Sequence, residues 1–429
     1  MLNHQKASGY TSIVIFLVAI ASIGLAIPRH ETFGLMSAYF SAFFCYVWMI
    51  KMDHPPKLLF AIGITTRLIF FFHLPSLSDD FYRFLWDGQL IANGINPYLY
   101  TPQEILDNQA FDHKLLSLLN SPSYFSIYPP LNQGLFWLAA ESSNGNYLLG
   151  VNTLRLILLL VEVGTFLLLK EITSNQKPAF IYFLNPLVIL EIVGNLHFEG
   201  ILIFFLLMFF YAIKKKKYAL SGLSVGLAAA TKLVPIVLIP AIFLKYRWKK
   251  GIIISSMAIG SFSLFFIFLD LQAIYGMLES IQLYFKKFEF NASVYFLLRE
   301  IGFILKGYNV IHTLGPWLLV TSILSIILIS IIGVLKKWNL SFILLLVLSS
   351  YYLFSTTVHP WYILTLLPLG LMGGYYFPIA WTFLVFITYG GYSENGYNLS
   401  MGWVVTEYIV LIGFVVSEMY YKKYLVRNE

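Results

Sequence analysis

Long apolar runs separated by short polar breaks dominate the chain. They lie at about 10–27, 33–50, 57–73, 148–169, 178–194, 199–213, 251–270, 313–335, 340–356, 360–374, 376–390 and 403–420. A helix needs roughly 20 apolar residues, and at least about 17, to cross a hydrocarbon core of about 30 Å. Most runs approach that size, and several are short enough to tilt, break or re-enter. A further segment, 218–244, is long enough for two short passes broken at Thr231-Lys232. The pattern predicts an all-α polytopic membrane protein with about 12–14 membrane segments. It reads as a single domain over 1–429. Three spans over 10–73 come first, then an outer loop at 74–147, middle spans over 148–270, a second outer loop at 271–312 and C-terminal spans over 313–420. No appended soluble domain and no internal repeat is evident. The first run is not read as a cleavable signal, because a second long apolar run follows almost at once.

Composition agrees with this reading. Of the 429 residues, 59% are hydrophobic and only 11% charged, against about 25% charged in an ordinary soluble domain. That is too little charge to cover water-facing surfaces, which excludes a soluble globule, and the apolar content excludes a disordered chain. One cysteine, Cys45, rules out an intrachain disulfide framework. The net charge of +7 reads as loop bias rather than nucleic-acid binding. With fourteen crossings both termini share one side. That side then holds eighteen Lys and Arg, the other eight, and Arg67 and Arg155 fall inside helices. The excess predicts cytoplasmic termini. It also puts the unusual polar motifs on the outer face, where loops as long as 74–147 and 271–312 are usually functional.

The first outer loop opens Ser78-Asp79-Asp80-Phe81-Tyr82-Arg83-Phe84-Leu85-Trp86-Asp87-Gly88. Ser78 reads as an N-cap and Asn93-Gly94 with Pro97 as a stop. At 100° per residue, Asp79, Asp80, Arg83 and Asp87 fall within about 100° of arc, with Phe81, Tyr82 and Leu85 opposite. This is a juxtamembrane helix with one acidic face and a single arginine. The bland alternative is acids favoured by the helix dipole and an Arg83 pair with Asp79 or Asp87. Thr101-Pro102-Gln103-Glu104 has a capping-box pattern and predicts a second, purely structural helix. The loop returns through Tyr128-Pro129-Pro130, where Tyr128 is either an interfacial anchor or a ligand contact, and the apolar stretch 131–140 reads as interfacial or re-entrant.

Later polar positions are few. Asn195, His197 and Glu199 share a short outer turn. Lys232 stands between apolar stretches where an unpaired charge costs at least about 2.5–3.5 kcal/mol. It either pairs with a structural carboxylate or holds an anionic ligand, the reading preferred here. His359 before Pro360-Trp361 is a weaker case of the same kind. Arg155 and Glu162 read as structural, and Lys214 to Lys217 as a cytoplasmic helix end. No metal-ligand spacing such as H-E-x-x-H occurs. No metal is predicted, although His197 and Glu199 with Asp79 or Asp80 would be the residues for one.

Taken in order, these blocks resemble a known family. Ser78 to Gly88, Gly94-Ile95-Asn96-Pro97-Tyr98 and Tyr128-Pro129-Pro130-Leu131-Asn132-Gln133 look like the bacterial mannosyltransferase-like branch of the GT-C glycosyltransferases. Asn185-Pro186, Gly194 to Gly200, Lys232-Leu233-Val234-Pro235 and His359 to Tyr362 extend the resemblance over about 80–365. In many GT-C enzymes the acidic loop follows the first helix; here it follows the third, so 10–50 reads as an added hairpin. The resemblance implies a GT-C-like membrane enzyme of a bacterial inner membrane with its site on the outer face. It implies transfer of a hexose, mannose favoured, from a polyprenyl-phosphate donor to an outward-facing glycan or lipid acceptor, with inversion and no cofactor. Asp79, with Asp80 close behind, is then the expected base. Arg83, Trp86, Asp87, Asn96, Tyr128, Asn195, His197, Glu199, Lys232 and His359 are the expected substrate contacts, with Lys232, His359 and Arg83 facing the leaving phosphate. Asn291-Ala292-Ser293 matches a glycosylation sequon and is given no role. Two rival readings keep the lipid-linked sugar but change the class: a transporter or flippase, expected to show paired repeats with broken helices at the midplane, and an O-antigen polymerase or ligase, expected to use basic residues of a later loop.

Overall fold

The computed structural model describes residues 2–105, 112–267 and 269–428. Apart from one two-stranded hairpin, the described regular elements are helices. The chain opens with α1 (Leu2–Leu25), α2 (Thr32–Lys51) and α3 (Pro56–Leu68), then the acidic α4 (Asp80–Ala92) and the short α5 (His113–Ser117). Next come α6 (Pro130–Ser143), α7 (Tyr147–Thr173), α8 (Gln176–Phe183), the single turn α9 (Pro186–Val188) and a π-helical turn at Ile189–Gly194. The middle of the chain forms α10 (Glu199–Lys214), α11 (Tyr218–Thr231), α12 (Ile239–Tyr246) and α13 (Trp248–Leu264). The second outer loop contains α14 (Leu271–Lys286) and α15 (Val294–Lys306). It is followed by α16 (Ile311–Leu335), α17 (Leu340–Phe354), α18 (Leu366–Gly373) and α19 (Phe377–Leu384). The hairpin of β1 (Tyr392–Ser393) and β2 (Gly396–Tyr397) precedes α20 (Met401–Asn428).

Each apolar run of the sequence is helical, but the runs are not uniform rods. Among the described residues three helices are long and apolar enough to cross a membrane: Thr32–Lys51, Ile311–Leu335 and Met401–Lys422. Gln176–Phe183 and Pro186–Gly194 make a fourth if counted as one span bent by 56°. Several other runs expected as spans are shorter apolar pieces, such as Tyr218–Thr231, Val234–Tyr246 and Pro360–Gly373. The breaks have local causes. Asn185 accepts from the N–H groups of Leu187 and Val188 ahead of Pro186, and Lys232 leaves α11 in an extended conformation. The capping-box segment closes as expected, Glu104 accepting from Thr101 N–H at 2.7 Å, but only as a 3-10 turn at Pro102–Ile105. The continuation of that segment over 106–111 lies outside the described residues.

Two buried arginines hold the helices around the site. Arg67 of α3 donates to Glu162 of α7 at 2.9 Å, both side chains fully buried, and to the Phe183 carbonyl at 3.0 Å. Tyr182 completes the group by donating to Glu162 at 2.8 Å. Arg155, also on α7, donates to the carbonyls of Phe70, His73, Val193 and Gly194. It therefore ties together carbonyls of the turn after α3 and of the end of the π-helical turn. Arg155 and Glu162 are structural, as expected, but each through its own partners. Asn291 is also committed: it is buried and donates to Glu407 at 3.2 Å.

Helices α4 and α6 approach so closely that a Cβ on Gly88 would lie 2.0 Å from the Phe136 carbonyl oxygen. Backbone cannot yield there, so G88A should destabilise the protein by about 1–3 kcal/mol through overpacking. A lowered thermal midpoint of the detergent-purified variant, with unchanged expression in membranes, checks this.

Candidate active site

The acidic helix is anchored at its first turn. Ser78 accepts from Asp80 N–H at 3.3 Å, so it supplies the capping hydroxyl, with Asp79 as the residue flanking the helix. Asn93 and Gly94, the latter at φ +74°, end it where predicted. Asp79 and Asp80, adjacent in sequence, have different partners. Asp79 Oδ2 lies 2.6 Å from Arg29 Nη2, from the turn joining α1 and α2, whereas Asp80 accepts from Asn120 at 2.9 Å. One turn on, Arg83 pairs with Asp87 at 2.7 Å. Asp87 also accepts from Ser126 and Gln133, and Arg83 donates to the carbonyls of Ser121 and Tyr124. The Arg83–Asp87 pair thereby ties the returning loop to α4.

A cavity of about 730 Å³ opens beside this helix. Of the expected site residues, Asp79, Asp80, Arg83, Tyr128, His197, Glu199, Lys232 and His359 line it. The other four stand back from its wall. Trp86 and Asp87 are buried, Asp87 in the network just described. Asn96 accepts from Tyr98 N–H at 3.0 Å in a local turn. Asn195, also buried, accepts from Leu77 N–H and donates to Glu191.

Lys232 has the carboxylate partner that the sequence offered beside an anionic ligand. Its ammonium is ion-paired with Glu199 and sits over the Tyr362 ring, 4.0 Å from the centroid. The partner is itself a cavity residue that starts α10, so the pair is part of the wall. An ammonium has three donors; with Glu199 and the ring face engaged, a direction toward the cavity remains. Three further rings of the wall stack: His197 on Trp361 at 3.6 Å and Trp361 on His359 at 4.5 Å between centroids.

His359 is not a cation here. Burial, then the Lys232 ammonium and His197, push it down from 6.5 to about 3. It can donate to a phosphate only as a neutral ring. Because the folded value lies below the unfolded value of about 6.5, the neutral ring contributes stability that is present above that pH and lost as pH falls toward 3. ¹⁵N NMR of histidine-labelled protein, with H359Q for assignment, should show this ring neutral from about pH 5 to 8. An imidazolium signal for it at pH 6 contradicts the assignment.

Sequence reasoning missed several cavity neighbours. Arg29 was counted only as a loop charge, yet it holds Asp79 and lies 4.9 Å from the Tyr392 ring centroid. Asn120 and Tyr392 carried no signal, since only the fold brings them to the wall. Glu191 did carry one: an acid inside an apolar run is a functional candidate by default. It is fully buried and accepts from Tyr389 at 2.6 Å. Among the described residues no group of three or more His, Cys, Asp or Glu side chains is disposed to hold a metal ion.

Comparison with known proteins finds similarity to one family. Residues 35–247 match the model of a family described as alpha-(1->6)-mannopyranosyltransferase, N-terminal domain. A curated relative, alpha-(1->6)-mannopyranosyltransferase B of Corynebacterium glutamicum, is 30% identical over 141 residues, covering 31% of this chain and 23% of that protein. The chain thus matches less than a quarter of that relative's length. The family match takes in the acidic helix, the His197 turn and Lys232. Over residues 35–247 this chain is therefore similar to the alpha-(1->6)-mannopyranosyltransferase family, and both matches point to a glycosyltransferase.

Proposed function

We propose that the protein is a polytopic GT-C-like membrane glycosyltransferase. It transfers a hexose, mannose favoured, from a polyprenyl-phosphate donor to a glycan or lipid acceptor on the outer face of a bacterial inner membrane, with both termini cytoplasmic. The observation that carries this reading is that Asp79, Asp80 and Lys232, far apart in sequence, line one cavity. The family match and the apolar helices support it. In the reaction, an acceptor hydroxyl attacks the anomeric carbon from the face opposite the phosphate, and the bond between that carbon and the phosphate oxygen breaks. Asp79 takes the hydroxyl proton within hydrogen-bond reach, with Asp80 held beside it by Asn120. Charge lost from the carboxylate develops on the departing polyprenyl phosphate, where the third direction of the Lys232 ammonium and neutral ring donors stabilise it. Apolar wall residues Leu233, Val234 and Val237, next to Lys232, suit the first isoprene units. The cavity volume matches a sugar phosphate and part of an acceptor.

The test is transfer of radiolabel from polyprenyl-phosphate mannose, in parallel with a nucleotide-mannose donor, in membranes containing wild type, D79N or D80N. Label from the lipid donor alone, lost in the Asp variants, is the expected result. Unchanged transfer in both single variants and in the double variant removes the mechanism. Lipid-sugar translocation without transfer would support the flippase reading instead.

A further inference from the structure

We propose that Arg29, from the turn between α1 and α2, is a positioning residue for Asp79. It holds one carboxylate oxygen so that the other faces the acceptor hydroxyl. This rests on the glycosyltransferase reading above and adds to it the group that aims the base. Arg29 precedes residues 35–247, so the family match gives it no role.

Asp79 flanks the start of α4, where an aspartate ordinarily caps its own helix. Asp112, Asn146 and Asp270 do so for α5, α7 and α14, each accepting a backbone N–H. Asp79 makes no such bond, and Ser78 takes that part. The Asp79 carboxylate turns instead to Arg29, with Oδ2 2.6 Å from Nη2. Among the described residues its Oδ1 has no polar partner. Asp80 differs, being held by the side-chain amide of Asn120.

Arg29 is itself placed from several sides. Its turn is closed by Glu31 N–H, which donates to the Pro28 carbonyl at 3.0 Å. Ser76, just ahead of Asp79, donates to the Ile23 carbonyl at 3.2 Å and ties the end of α1 to the approach to α4. The guanidinium carbon lies 4.9 Å from the Tyr392 ring centroid, and Tyr392 meets the Tyr397 ring edge-on across the hairpin. The cation is thus gripped between a ring and a carboxylate. Arg29, Asp79 and Tyr392 all line the cavity.

An ion pair this accessible to water adds little to stability, so what it changes is geometry. A base works only with an oxygen within hydrogen-bond reach of the proton it takes. Left alone, the Asp79 side chain has several rotamers open to it. A planar guanidinium on Oδ2 selects one of them, which an ammonium, a point charge, does less well.

The experiment measures kcat and donor KM of the full-length protein with polyprenyl-phosphate mannose. R29A should lower kcat about 10- to 100-fold, the cost of a misplaced reacting group, with donor KM and thermal midpoint near wild type. R29Q should behave alike, and R29K should recover part of the rate. Millimolar guanidinium, against sodium chloride of the same ionic strength, should raise the rate of R29A and not that of D79N. In a D79N background R29A should cost nothing further, because the two residues act as a unit. Wild-type kcat in R29A overturns the proposal. So does an equal loss from R29A in the wild-type and D79N backgrounds, which marks a merely structural role. A raised donor KM with kcat unchanged also overturns it and gives Arg29 to the donor phosphate. Each of these outcomes sinks the inference alone, whereas full transfer in the Asp79 and Asp80 variants sinks the underlying reading.

Discussion

D79N should abolish most transfer while leaving the protein folded. Removing a positioned general base typically costs 10²- to 10⁴-fold, and an amide of the same shape cannot accept the acceptor proton. The structural cost is small for a physical reason. The Asp79 side chain is 37% exposed and that of Arg29 is 33% exposed, and an ion pair so accessible to water contributes about 0–1 kcal/mol. Expression, thermal midpoint and donor KM should therefore be close to wild type, with the loss in kcat. D80N should be milder, because its Asn120 contact survives as an amide–amide hydrogen bond. A D79N protein that transfers sugar at more than about a tenth of the wild-type rate contradicts its assignment as base.

R67M should show the reverse pattern, with stability lost first. It strands Glu162 in a fully buried position beside Tyr182. Breaking a buried pair from one side costs about 3–5 kcal/mol, whereas replacing both members with apolar residues of similar volume is often neutral. The single variant should aggregate or melt far below wild type in detergent. R67M/E162M should recover most of that loss and regain transfer, since neither residue lines the cavity. If the single variant melts like wild type, the pair does not hold α3 against α7. If the double variant is as unstable as the single, the loss comes from the packing of Arg67 rather than its charge.

Much of this architecture was legible because its signals are local. The Asn93-Gly94 stop and the break at Lys232 follow from backbone chemistry within a few residues. The acidic helix was readable from the spacing of Asp79, Asp80, Arg83 and Asp87, but not its two halves, one facing the cavity and one stitched to Ser126 and Gln133. That division depends on which face meets the returning loop, and periodicity does not encode it. Pairings were equally hidden. Glu199 is 33 residues from Lys232 and Arg29 is 50 from Asp79, and no spacing rule joins residues on different helices. The continuity of the spans was not legible, since an apolar run records burial in lipid or protein without saying whether the helix within it is continuous.

The cavity wall draws on residues from Arg29 to Tyr392. The helix bearing Asp79 is translated well before Trp361, His359 and Tyr392, which also line the cavity. A chain arrested before position 359 holds the acidic helix with part of the wall missing. The cavity is therefore complete only once these late segments have been made and have docked on the acidic helix.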